Sequence, residues 1–255
     1  LSLRRQRQMC IRDRPDPVLL QPGSLAGTRA VVTGAAGGIG AAVTALLRAH
    51  GSSVDAWDLV HDSGIRRVDV TDRQAVGEAW RAATQPGPVD IVVSAAGVMS
   101  DDWDTCMAVN AGGVRNLLDV SLDDLTARRS GSVVVVSSNA GATPRSGLAA
   151  YAASKAAATS YARSLGLRVA PYGVRVNIVS PGSTDTPMLR GMWTDDADRD
   201  RVLAGEPDAY RLGIPLGRIA SPEDVASTVV FLASNAARHI TMHDLRVDGG
   251  ATLDM

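Results

Sequence analysis

Tyr151 and Lys155 stand one helical turn apart, and Ser138 lies thirteen residues before the tyrosine, just past the apolar run Val133 to Val136. A hydroxyl, a phenol and an ammonium gathered in this way could exchange a proton with an alcohol. A phenol ordinarily ionises near ~10, too high for a base at neutral pH, so a cation beside it is required. Lys155, on the same helix face, is expected to supply that charge and lower the proton affinity of Tyr151. A Tyr-x-x-x-Lys pair alone is commonplace on helix surfaces; the serine and a glycine-rich turn upstream give this one its meaning.

That turn is Thr33-Gly34-Ala35-Ala36-Gly37-Gly38-Ile39-Gly40, which follows a short apolar strand and opens an alanine-rich helix. Glycines there permit a tight turn and close approach of a pyrophosphate, while the helix N-terminus offers unpaired N–H groups and a positive dipole. Asp58 closes the next strand, 24 residues after Gly34, where a carboxylate can accept hydrogen bonds from both hydroxyls of an adenosine ribose. A 2′-phosphate would meet like charge, and no arginine adjoins Asp58 in sequence. The expected cofactor is therefore NAD rather than NADP.

The elements that must position these groups alternate along the chain. Residues 29–33, 53–57, 66–70, 89–94, 132–138, 174–179 and 245–247 read as strands, and 38–50, a stretch from about Asp72, 110–125, 148–170 and 222–234 as helices. Such alternation with continuous apolar strands predicts an α/β fold: a single Rossmann-type, doubly wound parallel sheet with helices on both faces. Its length of 255 residues suits one large domain, expected over 25–255. Pro181 to Leu216 breaks the rhythm with glycines, prolines and the acidic residues Asp195, Asp196, Asp198 and Asp200, so residues from about 183 to 216 are expected to form a mobile lid with short helices.

Composition excludes several alternatives. The 26 Lys+Arg and 27 Asp+Glu nearly cancel, giving a formal charge of −1 and no field to draw nucleic acid or an anionic membrane. The only two cysteines, Cys10 and Cys106, are far apart, which fits a reducing cytoplasm rather than a disulfide framework. No apolar run reaches membrane-spanning length. His239 and His243 could share a helix face, yet no third ligand is near them in sequence, so no metal is expected. Residues 1–24 are expected to be disordered or non-native: five arginines crowd the first fourteen positions, and Met9 to Arg14 reads like translated adapter DNA. An organelle presequence is the other reading, weakened by Asp13 and the lack of amphipathic order.

Taken together, Thr33-Gly34-x-x-x-Gly38-x-Gly40, Asp69-Val70, Ala95-Ala96-Gly97, Asn110, Ser138, Tyr151-x-x-x-Lys155 and Pro181-Gly182 resemble, in order, the motifs of the short-chain dehydrogenase/reductase family, from about Leu25 onward. The resemblance implies that Gly34, Gly38, Ile39, Gly40, Asp58, Ala95, Ala96 and Gly97 line the cofactor together with Tyr151 and Lys155. It further implies that Asp69 and Val70 meet the adenine, that Pro181, Gly182 and Thr184 line the nicotinamide, and that Asn110 anchors a water in a proton relay through Lys155 to Tyr151. Catalysis then falls to Asn110, Ser138, Tyr151 and Lys155. A homotetramer is implied too, paired through the helices at 110–125 and 148–170, whose alanines suit close packing. Two departures stand out: Ser94 replaces the usual asparagine before Ala95, and the link from Gly97 to Asn110 is short.

Within the family, Thr143-Pro144-Arg145, Ser180 to Thr186, Leu212 to Gly217 and His239-Ile240-Thr241 resemble a branch that oxidises a ring carbinol of a cyclic dihydro-acid to a phenol, chemistry used in making catechol siderophores. A ring carboxylate calls for a cation, and Arg145, between Ser138 and Tyr151, is placed for a bidentate clamp. Ser138 and Tyr151 would hold the reacting hydroxyl, and Met188, with Leu189 and Trp193, would cover the ring. An acid bearing an amine in place of one hydroxyl is an open alternative. So is a catalytically silent NAD-binding regulator, against which the intact Ser138, Tyr151 and Lys155 argue.

Overall fold

A computed structural model describes residues 23–60, 62–195 and 197–253. The expectations for residues 1–22 lie outside them. Seven parallel strands form the central sheet: β1 (Arg29–Thr33), β2 (Ser53–Asp58), β3 (Ile65–Arg67), β4 (Ile91–Ser94), β5 (Gly131–Val136), β6 (Val174–Pro181) and, after two short lid strands, β9 (Asp244–Val247), in the order β3-β2-β1-β4-β5-β6-β9. The valine-rich strands are buried on both faces, as parallel strands between helical layers must be.

Helix α1 (Gly38–Ala49) packs one face together with the last helix, α8 (Pro222–Ala233), burying Val43, Leu47, Val225 and Val229 against Val32, Val93 and Val134. On the other face lie α2 (Arg73–Thr84), α4 (Gly113–Arg128) and α5 (Ala149–Val169), which bury Val76, Leu117, Leu118, Ala158 and Ala162 against Val31, Val92, Val133 and Val135. The strand order reverses between β1 and β4, which opens a crevice at the C-terminal ends of these strands.

Three predicted elements differ. The third strand stops at Arg67, opposite the last residue of β2: Val68 still donates its N–H to the Asp58 carbonyl at 2.8 Å, and beyond it the chain turns, with Val68 and Val70 buried. The helix expected from Asn110 begins earlier, as the single turn α3 (Trp103–Cys106) capped by Asp102, whose carboxylate accepts from the Thr105 N–H at 2.7 Å. It then passes through a π-helical stretch, Met107–Gly112, before becoming α4. The segment after β6 holds α6 (Pro187–Arg190) and α7 (Asp198–Ala204), as expected, and also a small antiparallel hairpin, β7 (Gly205–Glu206) with β8 (Arg211–Leu212).

Candidate active site

The glycines of the first turn are demanded by backbone, not only by a ligand. Gly34 has φ +70°, and a Cβ there would lie 2.5 Å from the Ala96 nitrogen; one on Gly40 would lie 2.0 Å from the Gly34 carbonyl oxygen. Gly38 instead makes room for the lid, since its Cβ would strike Thr186, the N-cap of α6, at 2.6 Å. Helix α1 starts with no side-chain cap and no acidic residue in its first turn, so the N–H groups around Gly38, Ile39 and Gly40 form a donor set that fits a pyrophosphate. Asp58 lies beside this turn: its carboxylate accepts from the backbone N–H of Ala36 at 2.9 Å and of Val60 at 3.1 Å.

At the end of β4, the Thr33 hydroxyl accepts from the N–H groups of Ala95 and Ala96 at 3.2 and 3.3 Å, holding that strand end against β1. Ser94 is buried at the strand's last position. Gly97 lets two larger groups converge, its Cβ position being 3.1 Å from Asn110 Oδ1 and 3.2 Å from Lys155 Nζ. Asp69 is exposed and accepts from Thr71, while Val70 is buried under Gly113 and its carbonyl accepts from Asn116 at 2.9 Å.

Asn110 is fully buried in the π-helical stretch, a distortion that recurs at functional sites. Its side chain is already engaged: Nδ2 donates to the Val98 carbonyl and to the Ser154 hydroxyl, each at 2.9 Å, and Oδ1 accepts from the Val98 N–H at 2.8 Å. The side chain therefore braces the segment after β4 against α5.

Ser138 follows β5, where its hydroxyl caps a short turn by accepting from the Ala140 N–H at 3.2 Å. Tyr151 and Lys155 occupy the first turns of α5 and are buried. Burial pushes the Tyr151 phenol above its ordinary value, the Ser138 hydroxyl pulls it back, and buried Cys106 adds to the rise. Burial also lowers Lys155 from 10.5 to about 8. Its ammonium donates to the Val136 carbonyl at 3.1 Å and stands 5.8 Å from the centre of the Tyr151 ring. In the ligand-free chain burial is the largest influence on both groups, raising the phenol and lowering the ammonium.

A cavity of about 410 Å³ opens here. Ile39, Ser138, Arg145, Tyr151, Gly182, Thr184, Met188, Leu189 and Trp193 line it, bringing together sequence-predicted residues from five separate segments. Arg145 is half-buried and donates to Asn139 Oδ1 at 3.3 Å. Asn139 in turn donates to Asp248 at 3.3 Å.

Sequence reasoning passed over Ser154, Asn116, Asn139 and Arg211. Ser154 carried a usable signal, lying between Tyr151 and Lys155 at a position whose hydroxyl reaches back to the Tyr151 carbonyl, 2.7 Å away. Arg211 carried none, because a two-residue strand has no period to read.

The family model described as Enoyl-(Acyl carrier protein) reductase matches residues 34–252. The chain belongs to the short-chain dehydrogenase/reductase family. It is 41% identical over 252 residues to a 2,3-dihydro-2,3-dihydroxybenzoate dehydrogenase of Bacillus subtilis (strain 168), covering 89% of this chain and 97% of that one. A vibriobactin-specific 2,3-dihydro-2,3-dihydroxybenzoate dehydrogenase of Vibrio cholerae is 38% identical over 91% of this chain and 98% of its own length. The solved aldohexose dehydrogenase of Thermoplasma acidophilum, in ligand-free form, superposes with a TM-score of 0.82 at 28% identity, covering 91% of this chain and 97% of that one. Among the described residues no helix is long and apolar enough to cross a membrane.

Proposed function

We propose that this chain oxidises 2,3-dihydro-2,3-dihydroxybenzoate to 2,3-dihydroxybenzoate with NAD, a step in the making of catechol siderophores. The observation that carries the reading is one cavity lined by Ser138, Tyr151 and Arg145, a hydroxyl, a phenol and a cation suited to a ring alcohol that also bears a carboxylate. Relatives named for this activity, and one named for vibriobactin, support it.

Arg145 orients the ring by its carboxylate, Ser138 holds the carbinol oxygen, and Tyr151 takes the hydroxyl proton. NAD, when bound, supplies the hydride acceptor and a ring cation that helps the phenol ionise. Lys155 and the backbone around Asn110 return the proton to solvent. Met188, Leu189 and Trp193 keep water from the ring face, with residues from about 183 to 216 acting as a mobile cover over the sheet domain at 25–255. The oxidised ring tautomerises to a phenol, so aromatic stabilisation drives the step forward. Asp58 accepts the ribose hydroxyls and repels a 2′-phosphate, and Asp69 and Val70 flank the adenine. The working form is a homotetramer in the cytoplasm.

The test is to offer the dihydroxy acid to the purified protein with NAD or NADP, following NADH absorbance and the fluorescence of the aromatic product. Turnover with NAD at a kcat/KM well above that with NADP is expected. Turnover only of 2,3-dihydro-3-hydroxyanthranilate, the amine-bearing analogue, would reassign the substrate, and inertness toward both would leave the regulator reading.

A further inference from the structure

The lid carries a second cation into the same cavity, and its surroundings differ from those of three neighbouring arginines in and just after the lid, each of which is closely paired. Arg190 pairs with Asp185 at 2.7 Å, Arg201 with Asp198 at 2.6 Å, and Arg218 with Asp224 at 2.5 Å. Arg211 has only Glu206, at 3.9 Å, and donates to the neutral Ser183 hydroxyl at 3.2 Å. Across the cavity Arg145 has the neutral Asn139, and no carboxylate lies within ion-pair distance of it among the described residues. Two guanidinium groups therefore line one cavity without a close carboxylate partner: of the carboxylates that line it, Asp198 is paired with Arg201 and Glu206 stands 3.9 Å from Arg211, while Asp248 acts on Arg145 from beyond ion-pair distance.

The hairpin that delivers Arg211 is tightly built. Gly205 has φ +89°, and a Cβ there would lie 2.5 Å from the Gly213 nitrogen, while one on Gly213 would lie 2.3 Å from the Leu203 carbonyl oxygen. Only glycine at both positions lets β7 and β8 fold back so closely. The two arginines feel each other: after burial, Arg211 is the next largest influence lowering the Arg145 guanidinium from its ordinary value. Like charges held in a half-buried cavity repel until an anion comes between them. A carboxylate has two oxygens and about four lone-pair sites, enough to serve both forks.

We propose that Arg211 is the second half of the substrate's anion site: it closes on the ring carboxylate opposite Arg145, and Glu206 holds it loosely while the cavity is empty. This rests on the reading above that the substrate is a ring carboxylic acid. It makes closure of the lid hairpin depend on the substrate's charge, since Arg211 rides on the hairpin and Arg145 on the sheet side. Rejection of uncharged ring diols follows, because without the carboxylate the two cations stay in mutual repulsion.

Fluorescence titration of the NAD-bound protein with 2,3-dihydroxybenzoate and with catechol, which lacks the carboxylate, tests this directly. Arg211→Met is expected to weaken the acid by about tenfold or more, the worth of a charge-assisted hydrogen bond, with catechol unchanged. Arg211→Lys should restore part of the loss, and Glu206→Gln, which removes the competing carboxylate, should tighten the acid. An Arg211→Met protein that binds the acid as tightly as the parent, or that loses acid and catechol equally, overturns the proposal. Turnover separates the two readings. A parent protein that oxidises the dihydroxy acid but whose acid preference ignores Arg211 sinks the anion site alone, whereas one that prefers acids through Arg211 but turns over neither dihydro-acid sinks the proposed activity alone.

Discussion

The phenol of Tyr151 is the group on which the proposed chemistry turns, and burial holds it protonated in the ligand-free chain. Tyr151→Phe removes the proton acceptor without altering the turn that would bind NAD. General-base loss is worth about 10²–10⁴ in rate, so kcat should fall by that range while NAD affinity, read by fluorescence quenching, stays within about twofold. Lys155 offers a separate check through stability. Its pKa is lowered by folding to about 8, so between that value and 10.5 the unfolded chain binds a proton that the folded chain has released. Stability contributed by this group must then rise as pH increases through that window. In denaturant titrations of the ligand-free protein, the parent should gain on Lys155→Met by up to about 1.4 kcal/mol per pH unit from pH 8 toward 10. A flat difference would mean that the ammonium keeps its charge at a cost met elsewhere.

At the scale of elements, glycines separate into those a neighbour forbids to change and those it does not. Gly40→Ala would drive a methyl into the Gly34 carbonyl and should cost about 1–3 kcal/mol along with NAD binding. Gly77→Ala, within α2 with nothing within 4 Å, should instead raise stability by up to about 1 kcal/mol. Thermal melts of the two variants should move in opposite directions. The same local view explains what could be read from sequence. Strands β4, β5 and β6 announced themselves because each is rich in valine and isoleucine and almost wholly buried. Asp58 and Ser138 could be singled out because each sits at or just beyond a strand end, and Tyr151 because Lys155 follows it by one helical turn. The π stretch around Asn110 was not, since a shift in hydrogen-bond register leaves no mark on residue type. Val68 and Val70 suggested a longer strand because apolar character reports burial, which continues past the point where β2 ends and the ladder stops. Arg211 stayed hidden in a segment whose fold is set by glycine contacts rather than by any hydrophobic period.

For the whole molecule, the proposed tetramer requires α4 and α5 to offer a face to a second copy. Ala152, Ala153, Ala156 and Ala157 on α5 remain half-buried in the single chain, and Asp119 of α4 gathers Tyr161, Arg73 and Arg115 beside them. Light scattering should report four times the chain mass of 26.5 kDa, and a stable monomer would overturn the assembly. Because all seven sheet strands run the same way, Ser138, Tyr151 and the glycine turn share one rim, while β5 begins on the other, about 20 Å away at ~3.3 Å per residue. Ser130 is exposed on that far rim, and Cys106 is buried. With Cys10 replaced, a cysteine introduced at Ser130 gives a single thiol handle by which the protein could be tethered to a solid support, mouth outward, with its catalysis undisturbed.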